Sequence, residues 1–358
     1  MILKSLSLQN FRNYSQKEFN FSSGINLVVG PNAVGKTNLL EAIYLLATGR
    51  SFRAEVEAEM ISYNEQMSNV KCQTHPPHGW VSNGEELEII LTRGEINGKR
   101  VAKKIYKVNG VNRRMIDFVG HLRVVYFGPE DLEIVVDSPA RRRDYLDSVL
   151  GQVDREYRRA SLSYKKGLRQ RNKLLEQIRE EGKPRSILYF WDRLLIENGE
   201  IITKKREEFI NFVNQQPSYF EKLELVYDKS IISPQRLVQY AEEEVAAGAT
   251  LVGPHRDDFV VQIQNPKSKI QKELSAFGSR GEQRTAVFCL KLAEMEFIAQ
   301  KTGQRPVLLL DDIFSELDHQ RRRRLLEVIP RQQTVITTTD LHLVEPEIRK
   351  KMELIKLI

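Results

Sequence analysis

Apolar and polar residues alternate near the start of the chain in a way that predicts β-strands. Residues 6–9 alternate leucine with polar side chains, and residues 25–29 form a mostly apolar run that ends at a glycine. From Lys36 the spacing becomes helical, with one apolar face formed by Leu39, Leu40, Ile43, Leu46 and Ala47. The pattern therefore predicts a strand, a glycine turn and a helix in that order.

The middle of the chain changes from strand-like to helical patterning. Residues 55–114 are rich in strand-forming runs, and residues 104–108 lead into Asn109-Gly110, a hairpin signal. Residues 139–181 predict one or two long basic helices, and residues 187–215 predict another. These segments indicate a helical hairpin arm. Strands and helices alternate again after about residue 250, so the arm is expected to be an insertion in an α/β domain.

Composition narrows the class of protein. No apolar run approaches the ~18 residues that cross a bilayer, and the amino terminus lacks a signal-peptide pattern, so we expect a cytoplasmic protein with no membrane partner. The only cysteines, Cys72 and Cys289, predict neither a disulfide framework nor a zinc site.

Positive charge is concentrated in one segment. The chain has a net charge of +7, and residues 141–185 hold 14 Lys and Arg against 7 Asp and Glu, a surplus of 7. Such a segment is typical of a face that binds a polyanion, which the charge alone does not identify, although a solvated helix face has the same composition. The candidate phosphate contacts, which become DNA contacts if the polyanion is DNA, are Arg141, Arg142, Arg143, Arg158, Arg159, Lys165, Lys166 and Arg169.

The glycine turn before the first helix matches the phosphate-binding pattern G-x-x-x-x-G-K-[ST] at every required place. In this pattern backbone N–H groups surround phosphates, the lysine supplies a positive charge, and the hydroxyl reaches magnesium. An ordinary glycine turn is the alternative, but the strand before it and the helix after it favour the nucleotide site. The predicted ATP-binding residues are Gly30, Pro31, Asn32, Ala33, Val34, Gly35, Lys36 and Thr37.

A buried strand over residues 306–311 ends in two acids. Asp311 is predicted to hold magnesium together with Thr37, and Asp312 to orient or deprotonate the attacking water. Apolar strands often end in an acidic helix cap, so the prediction depends on the pairing with the phosphate loop. Glu316 is the next candidate for the catalytic base.

Two further stretches look like parts of an ABC-type ATPase. Ser279 and Gly281 resemble the ABC signature, and residues 315–318 resemble the loop that follows the acidic strand. In that superfamily the signature of one subunit contacts ATP held by the other, so the resemblance implies a nucleotide-bound homodimer. Ser279 is also compatible with a plain helix cap.

Six local motifs, in order along nearly the whole chain, resemble those of the RecF family. They are residues 10–14 (NFRNY), 49–51 (GRS), 129–132 (PEDL), 138–143 (SPARRR), 253–258 (GPHRDD) and 337–340 (TTTD). The resemblance implies DNA binding, ATP-dependent dimerisation and slow DNA-stimulated ATP hydrolysis. It also implies recombinational repair at single-strand gaps, where the protein would help load RecA with RecR and RecO on the nucleoid.

Several positions depart from the wider ABC pattern. Ala33 replaces a common glycine, Asp312 replaces the catalytic glutamate, and the 337–340 run lacks the switch histidine, with His342 two places beyond it. No glutamine loop is present in the usual form, and residues 129–131 are assigned to its place. These differences predict slow ATP hydrolysis, while nucleotide binding is expected to be retained.

Two arginines and one phenylalanine complete the set of candidate residues. Arg12 and Arg50 resemble arginines that approach nucleotide or DNA in related heads, and Arg12 is assigned to the ATP site, although a local ion pair is equally compatible. Phe52 stands where many relatives have histidine and is given no role.

The resulting prediction is an α/β, ABC-type (SMC-like) ATPase head with a β-rich lobe and an inserted α-helical arm. The expected parts are residues 1–137 and 238–358 for the head and 138–237 for the arm. ATP and Mg²⁺ are the expected ligands. Two alternatives remain: the ATPase subunit of an ABC transporter, which would need the missing glutamine loop and switch histidine, and a DNA scaffold with ATP as a structural ligand.

Overall fold

A computed structural model describes residues 2–75, 84–96, 98–217, 222–264, 271–316, 319–341, 349 and 352–357. Its strands are β1 (Ile2–Phe11), β2 (Tyr14–Asn20), β3 (Ile25–Val29), β4 (Met67–His75), β5 (Glu85–Thr92), β6 (Glu95–Ile96), β7 (Lys99–Arg100), β8 (Lys104–Val108), β9 (Val111–Arg113), β10 (Val124–Phe127), β11 (Lys222–Asp228), β12 (Asp258–Gln264), β13 (Gln271–Glu273), β14 (Val307–Asp311), β15 (Thr334–Thr338) and β16 (Met352–Lys356).

The α-helices are α1 (Lys36–Thr48), α2 (Met115–Phe118), α3 (Glu133–Val136), α4 (Pro139–Val153), α5 (Arg155–Glu181), α6 (Tyr189–Asn214), α7 (Pro234–Gln239), α8 (Ala241–Ala247), α9 (Leu274–Phe277), α10 (Arg280–Thr302), α11 (Ile313–Glu316) and α12 (His319–Val328). Short 3₁₀ turns cover Glu57–Met60, Pro129–Leu132, Arg185–Leu188 and Ile329–Arg331. No helix in the described ranges is both long and apolar enough to cross a membrane.

The chain divides into two compact units, residues 1–131 with 298–358 and residues 132–297. The boundaries expected from the sequence, after residues 137 and 237, differ from this division. Residues 258–264 group with the helical arm because β12 pairs along its whole length with β11. Buried ion pairs from arm helices to Asp257 and Asp258 hold the preceding loop in the same unit.

The first unit contains two sheets with α1 packed against strands of both. The antiparallel sheet has the order β2-β1-β4-β5-β8-β9, and the parallel sheet has the order β10-β14-β15-β3-β16. Leu39, Leu40, Ile43 and Leu46 of α1 are fully buried in this core. Burying each such side chain contributes roughly 2 kcal/mol, which fixes the position of the helix start.

The hairpin predicted at Asn109-Gly110 is confirmed. Val108 of β8 pairs with Val111 of β9, and both turn residues have positive φ, 51° at Asn109 and 74° at Gly110. Such a turn suits Asn-Gly because these two residues adopt the left-handed region most readily.

The second unit is the helical arm together with the β11-β12-β13 sheet. The predicted basic helical segment is two helices, α4 and α5, separated at Asp154, whose carboxylate accepts a hydrogen bond from the N–H of Tyr157 at 3.0 Å. This is an N-cap, so the break between the helices is encoded locally. Helix α6 packs against α5 to complete the hairpin.

Candidate functional site

The parallel sheet of the first unit brings the predicted phosphate loop and acidic pair to one edge. Strands β14, β15 and β3 are neighbours, with Asp311 paired to Thr337 and Thr338 paired to Val29. Because parallel strands end at the same edge of a sheet, the loop after β3 and the acids after β14 meet there. This edge is the position where open α/β sheets bind their ligands.

The phosphate loop is closely fitted to its surroundings. A Cβ at Gly30 would lie 2.8 Å from the carbonyl oxygen of Leu357, and a Cβ at Gly35 would lie 2.8 Å from the hydroxyl of Tyr14. Gly35 also has φ of +113°, which side-chain-bearing residues rarely adopt. Both glycines are therefore required by the loop conformation itself.

Ala33 occupies a left-handed conformation with φ of +64°. This is the position at which the sequence departs from the common glycine. A non-glycine residue in this region raises the conformational free energy of the folded chain by roughly 1–2 kcal/mol. The contacts around the loop must offset this local strain.

The turn between β1 and β2 holds the phosphate loop from outside. Asn13 donates its side-chain N–H to the carbonyl of Val34 at 3.0 Å, and the hydroxyl of Tyr14 donates to the carbonyl of Gly35 at 3.0 Å. Burial raises the pKa of Tyr14 to about 12, so this hydroxyl remains a donor at neutral pH. Two residues of the NFRNY motif therefore hold the backbone of the phosphate loop in place.

The side chain of Lys36 folds back against the start of the phosphate loop. Its Nζ donates to the carbonyls of Gly30 and Pro31, each at 2.8 Å, and its side chain is buried. Burial lowers the pKa of Lys36, while the nearby carboxylates of Asp312 and Asp311 oppose that shift. The loop cation and the acidic pair therefore share one electrostatic environment.

Asp311 and Asp312 are both held by Thr337. The Thr337 hydroxyl donates to Oδ1 of Asp311 at 2.6 Å and accepts from the N–H of Asp312 at 3.1 Å. Asp312 has φ of +49°, so the chain turns sharply where the strand ends. Helix α11 begins immediately afterwards, and the side chain of Glu316 lies outside the described part of the chain.

Tyr126, at the end of β10, connects two carboxylates at this edge. Its hydroxyl lies 2.8 Å from Oε2 of Glu130 and 3.3 Å from Oδ2 of Asp311. Its ring stacks on Phe52 with centroids 4.0 Å apart. Burial raises the pKa of Glu130. Glu130 of the 129–131 segment is thus linked through Tyr126 to Asp311 at the end of β14. Phe52, for which the sequence predicted no role, packs against the ring of Tyr126.

Arg12 binds a buried glutamate in this structure. Its guanidinium makes two hydrogen bonds to Glu41, at 2.6 and 2.8 Å, and Arg53 also donates to Glu41, which is 0% exposed. Although burial opposes ionisation, hydrogen bonds from Arg12, Arg53 and Ser51 bring the pKa of Glu41 below its usual value. The alternative of a local ion pair is the arrangement observed for Arg12. Arg50 is exposed.

Ser279 and Gly281 lie at the start of α10 in the second unit. The N–H of Ser279 donates to Oε2 of Glu282 at 2.7 Å, while its hydroxyl accepts from the N–H of Glu282 at 3.3 Å. This reciprocal pair is a capping box. Hydrogen bonds from Ser279 and Lys272 lower the pKa of Glu282. Both Ser279 and Gly281 are exposed.

Several of the basic candidates in the arm have partners within their own unit. Arg142 is buried and binds Asp258 at 2.6 Å, so it leaves the set of exposed candidates. Arg141 pairs with Glu133 at 3.0 Å, and Lys165 pairs with Asp147 at 2.6 Å. Arg143 and Arg158 donate to the carbonyls of Asp257 and Gly151. Much of the charge surplus therefore stabilises the arm.

The remaining candidates form an exposed stripe on α5. Arg159, Lys166 and Arg169 are exposed and make no hydrogen bond or ion pair with any described residue, and the same is true of Lys173. Arg159, Lys166 and Lys173 are seven residues apart, a spacing that drifts only ~20° around a helix. We call these four residues the basic stripe.

Sequence reasoning missed Thr337, Tyr126, Asn13 and Lys173 as site residues. Thr337 and Asn13 fall in noticed motifs, but no local pattern indicates what their side chains bind. Among the described residues, no group of three or more His, Cys, Asp or Glu is arranged to hold a metal ion. His342 lies outside the described residues.

Comparisons with known proteins identify the family to which the chain belongs. The RecF/RecN/SMC N terminal domain family matches residues 2–352. The chain is 39% identical to DNA replication and repair protein RecF of Herpetosiphon aurantiacus, over 95% of this chain and 94% of that protein. A solved structure of the recombination mediator protein RecF-ATP in the RecFOR pathway is 35% identical, with a TM-score of 0.85 over 96% of this chain and 93% of the other. The Smc head domain of Pyrococcus furiosus, 18% identical over 95% of this chain and 90% of the other, shares the fold with a TM-score of 0.51.

Proposed function

Because this chain belongs to the RecF family of DNA replication and repair proteins, we propose that it is an ATP-driven switch that dimerises on DNA. It acts at single-strand gaps in the cytoplasm, associated with the nucleoid, and with RecR and RecO it helps to load RecA. Slow ATP hydrolysis, stimulated by DNA, ends each cycle. The observation that carries the proposal is the phosphate loop with Lys36 at the same sheet edge as Asp311.

The residues present fit ATP and magnesium. A Cβ at Gly30 or Gly35 would collide with neighbouring atoms, so the loop can keep this backbone path only with glycine at these positions. The backbone N–H groups of such a loop before a helix are the expected phosphate donors. Mg²⁺ prefers one or two protein oxygens together with phosphate oxygens, and Thr37 and Asp311 supply a hydroxyl and a carboxylate. A metal ion held by Thr37 and Asp311 would neutralise charge that develops on the phosphates.

Asp312 is the proposed base that orients or deprotonates the attacking water. Its backbone N–H donates a hydrogen bond to the Thr337 hydroxyl, which fixes the backbone that carries the carboxylate. Because aspartate is one methylene shorter than the usual glutamate, it reaches a water less well, which favours slow hydrolysis. Glu316 is the next candidate if Asp312 is not the base.

Dimerisation is proposed to use Ser279 and Gly281. Both lie at the amino end of the long helix α10, where backbone N–H groups and the helix dipole attract anions. In the family arrangement these residues contact ATP held by the partner subunit. Their exposure is consistent with a contact made only in the dimer.

DNA is proposed to contact the basic stripe of α5. Exposed cations without local partners can exchange their counterions for phosphates, whereas paired cations first lose an existing interaction. Arg141, Arg143, Arg158 and Lys165 remain candidates for secondary contacts. Contacts of this kind are made to the phosphates, so the basic stripe would not distinguish one base sequence from another.

Oligomeric state and DNA affinity, each measured with and without ATP, test the proposal. We expect light scattering to show ATP-induced dimers and duplex DNA to bind more tightly with ATP. Lys36→Ala should remain folded, lose tight ATP binding by calorimetry and show neither response. A DNA affinity that ATP does not change, in a protein that binds ATP, would support the scaffold alternative instead.

A further inference from the structure

A cavity of about 170 Å³ lies within the second unit, among helices α4, α5 and α6 and the 253–258 loop. A water molecule takes about 30 Å³ of liquid volume, so the cavity has room for roughly five waters or one small polyatomic group. Its walls carry five formally charged side chains: Arg143, Asp144, Asp147, Lys165 and Arg206.

The deepest charges of the cavity already satisfy one another. Asp147 accepts hydrogen bonds from Lys165 at 2.6 Å and from Arg206 at 2.9 Å. Arg206 also donates to the carbonyl of Pro254 at 2.7 Å and to Asp257 at 3.1 Å. Asp147 is therefore closed to an incoming cation, and Asp144 is the only exposed acid among the lining residues.

His255 lines the cavity without adding charge. Its Nδ1 lies 2.9 Å from the hydroxyl of Tyr164 and its Nε2 lies 3.0 Å from the carbonyl of Thr250. A carbonyl only accepts, so Nε2 carries the proton and Nδ1 accepts from Tyr164. Burial lowers the pKa of His255 to about 4, so the ring is neutral at neutral pH.

Two side chains in the cavity wall have N–H or O–H groups that donate no hydrogen bond to a described residue. Arg143 donates Nη1–H to the carbonyl of Asp257 at 2.9 Å, and the structure records no other hydrogen bond from it to a described residue. Ser161 is 9% exposed, and within the described chain its hydroxyl has no hydrogen-bond partner. Burial, followed by the adjacent charge of Arg206, lowers the pKa of Arg143. An arginine stays charged in a protein, so an anion beside it would relieve both effects.

We propose that this cavity binds a phosphate group through Arg143 and the Ser161 hydroxyl, with Lys165 at its rim. The planar guanidinium presents paired N–H donors that match phosphate oxygens, and the hydroxyl adds a third donor. The lining has three cations against two acids, and because Lys165 and Arg206 both bind Asp147, Arg143 is the cation left without a carboxylate hydrogen bond among the described residues. The phosphate comes either from free phosphate or from the DNA backbone. Only the DNA source depends on the proposed function.

Inorganic phosphate titrated into the full chain tests the site directly. The Lys36→Ala background is used, so that the phosphate loop does not compete, and binding is followed by calorimetry or ³¹P line broadening. We expect Arg143→Gln to weaken phosphate binding about tenfold or more and Ser161→Ala about fivefold. Asp144→Asn should tighten binding, because a like charge is removed. Arg193→Gln, at an exposed arginine of α6 that pairs with Glu197 outside the cavity, is the control and should change nothing.

A second measurement distinguishes the two phosphate sources. Duplex DNA affinity is compared between the unsubstituted chain and Ser161→Ala, a change small enough to preserve the fold, as thermal melting would verify. Weakened DNA binding assigns the cavity to a backbone phosphate, and unchanged DNA binding assigns it to free phosphate. The proposal is overturned if millimolar phosphate does not bind, if Arg143→Gln and Ser161→Ala leave binding unchanged, or if Asp144→Asn weakens it.

Discussion

The hydroxyl of Thr337 lies 2.6 Å from Oδ1 of Asp311 and donates a hydrogen bond to it. The two residues are directly paired on neighbouring parallel strands, and both are buried. One side chain of β15 thus sets the direction of the carboxylate that is proposed to hold magnesium, and the same hydroxyl anchors the backbone of Asp312.

Thr337→Val keeps the size of the side chain but removes this hydroxyl. We expect about 1–3 kcal/mol lower free energy of unfolding, because Asp311 and the Asp312 N–H each lose a partner, and a clear loss of ATP hydrolysis. Urea unfolding and phosphate release measure the two effects. Thr338→Val, whose hydroxyl bonds, among the described residues, only within the 338–340 turn, is the matched control and should leave hydrolysis intact. Equal loss of hydrolysis in both variants would contradict the role of Thr337.

Ala33→Gly should stabilise the protein by about 0.5–1 kcal/mol. Ala33 has φ of +64°, and glycine removes the steric cost of that conformation while adding some freedom to the unfolded chain. Ala246→Gly, on the exposed face of helix α8, should instead destabilise by about 0.5–1 kcal/mol. Denaturant midpoints compare the two. Destabilisation by both substitutions would show that the strain at Ala33 is absent in solution.

Asp312→Asn should slow ATP hydrolysis about a hundredfold while ATP binding is retained. Asparagine tolerates the left-handed backbone at this position, so the turn should survive. The variant should accumulate as an ATP-bound dimer in light scattering. If hydrolysis continues at the parent rate, the base lies elsewhere, and Glu316→Gln becomes the next variant to measure.

Ser279→Arg should block the ATP-induced dimer without affecting ATP binding by the monomer. The new side chain adds bulk and positive charge at the start of α10. Ser186→Arg adds the same side chain at another exposed serine of the second unit and serves as the control. Equal dimer fractions for the two variants with ATP would remove Ser279 from the proposed interface.

Reversal of the basic stripe should abolish tight DNA binding and spare ATP binding. Replacing Arg159, Lys166 and Lys173 with Glu removes up to three phosphate contacts, so the slope of log affinity against log salt should fall by about three.

A charge-matched control uses cations that already have partners. Lys183, Arg185 and Arg193 pair with Glu181, Glu242 and Glu197. Their reversal to Glu changes net charge by the same amount and should affect DNA binding little. A similar loss of affinity in both triple variants would indicate a general charge effect rather than contact with the stripe.

Features that depend on neighbours along the chain could be predicted from the order of the amino acids. The phosphate loop, its flanking strand and helix, the Asn109-Gly110 hairpin and the helical arm are all encoded by local spacing, turn residues and caps. The family could be identified in the same way, because its motifs are short and occur in a fixed order.

The pairs of side chains that meet across the fold could not be predicted in this way, because they depend on how distant segments pack. Arg12 and Arg142 have the same charge as Lys166, yet the first two bind Glu41 and Asp258, while Lys166 is exposed on α5. The Thr337–Asp311 pair is likewise set by strand register. Charge and periodicity specify what a residue can bind, but a buried partner distant in sequence is selected by packing, because an unpaired charge in the interior costs several kcal/mol.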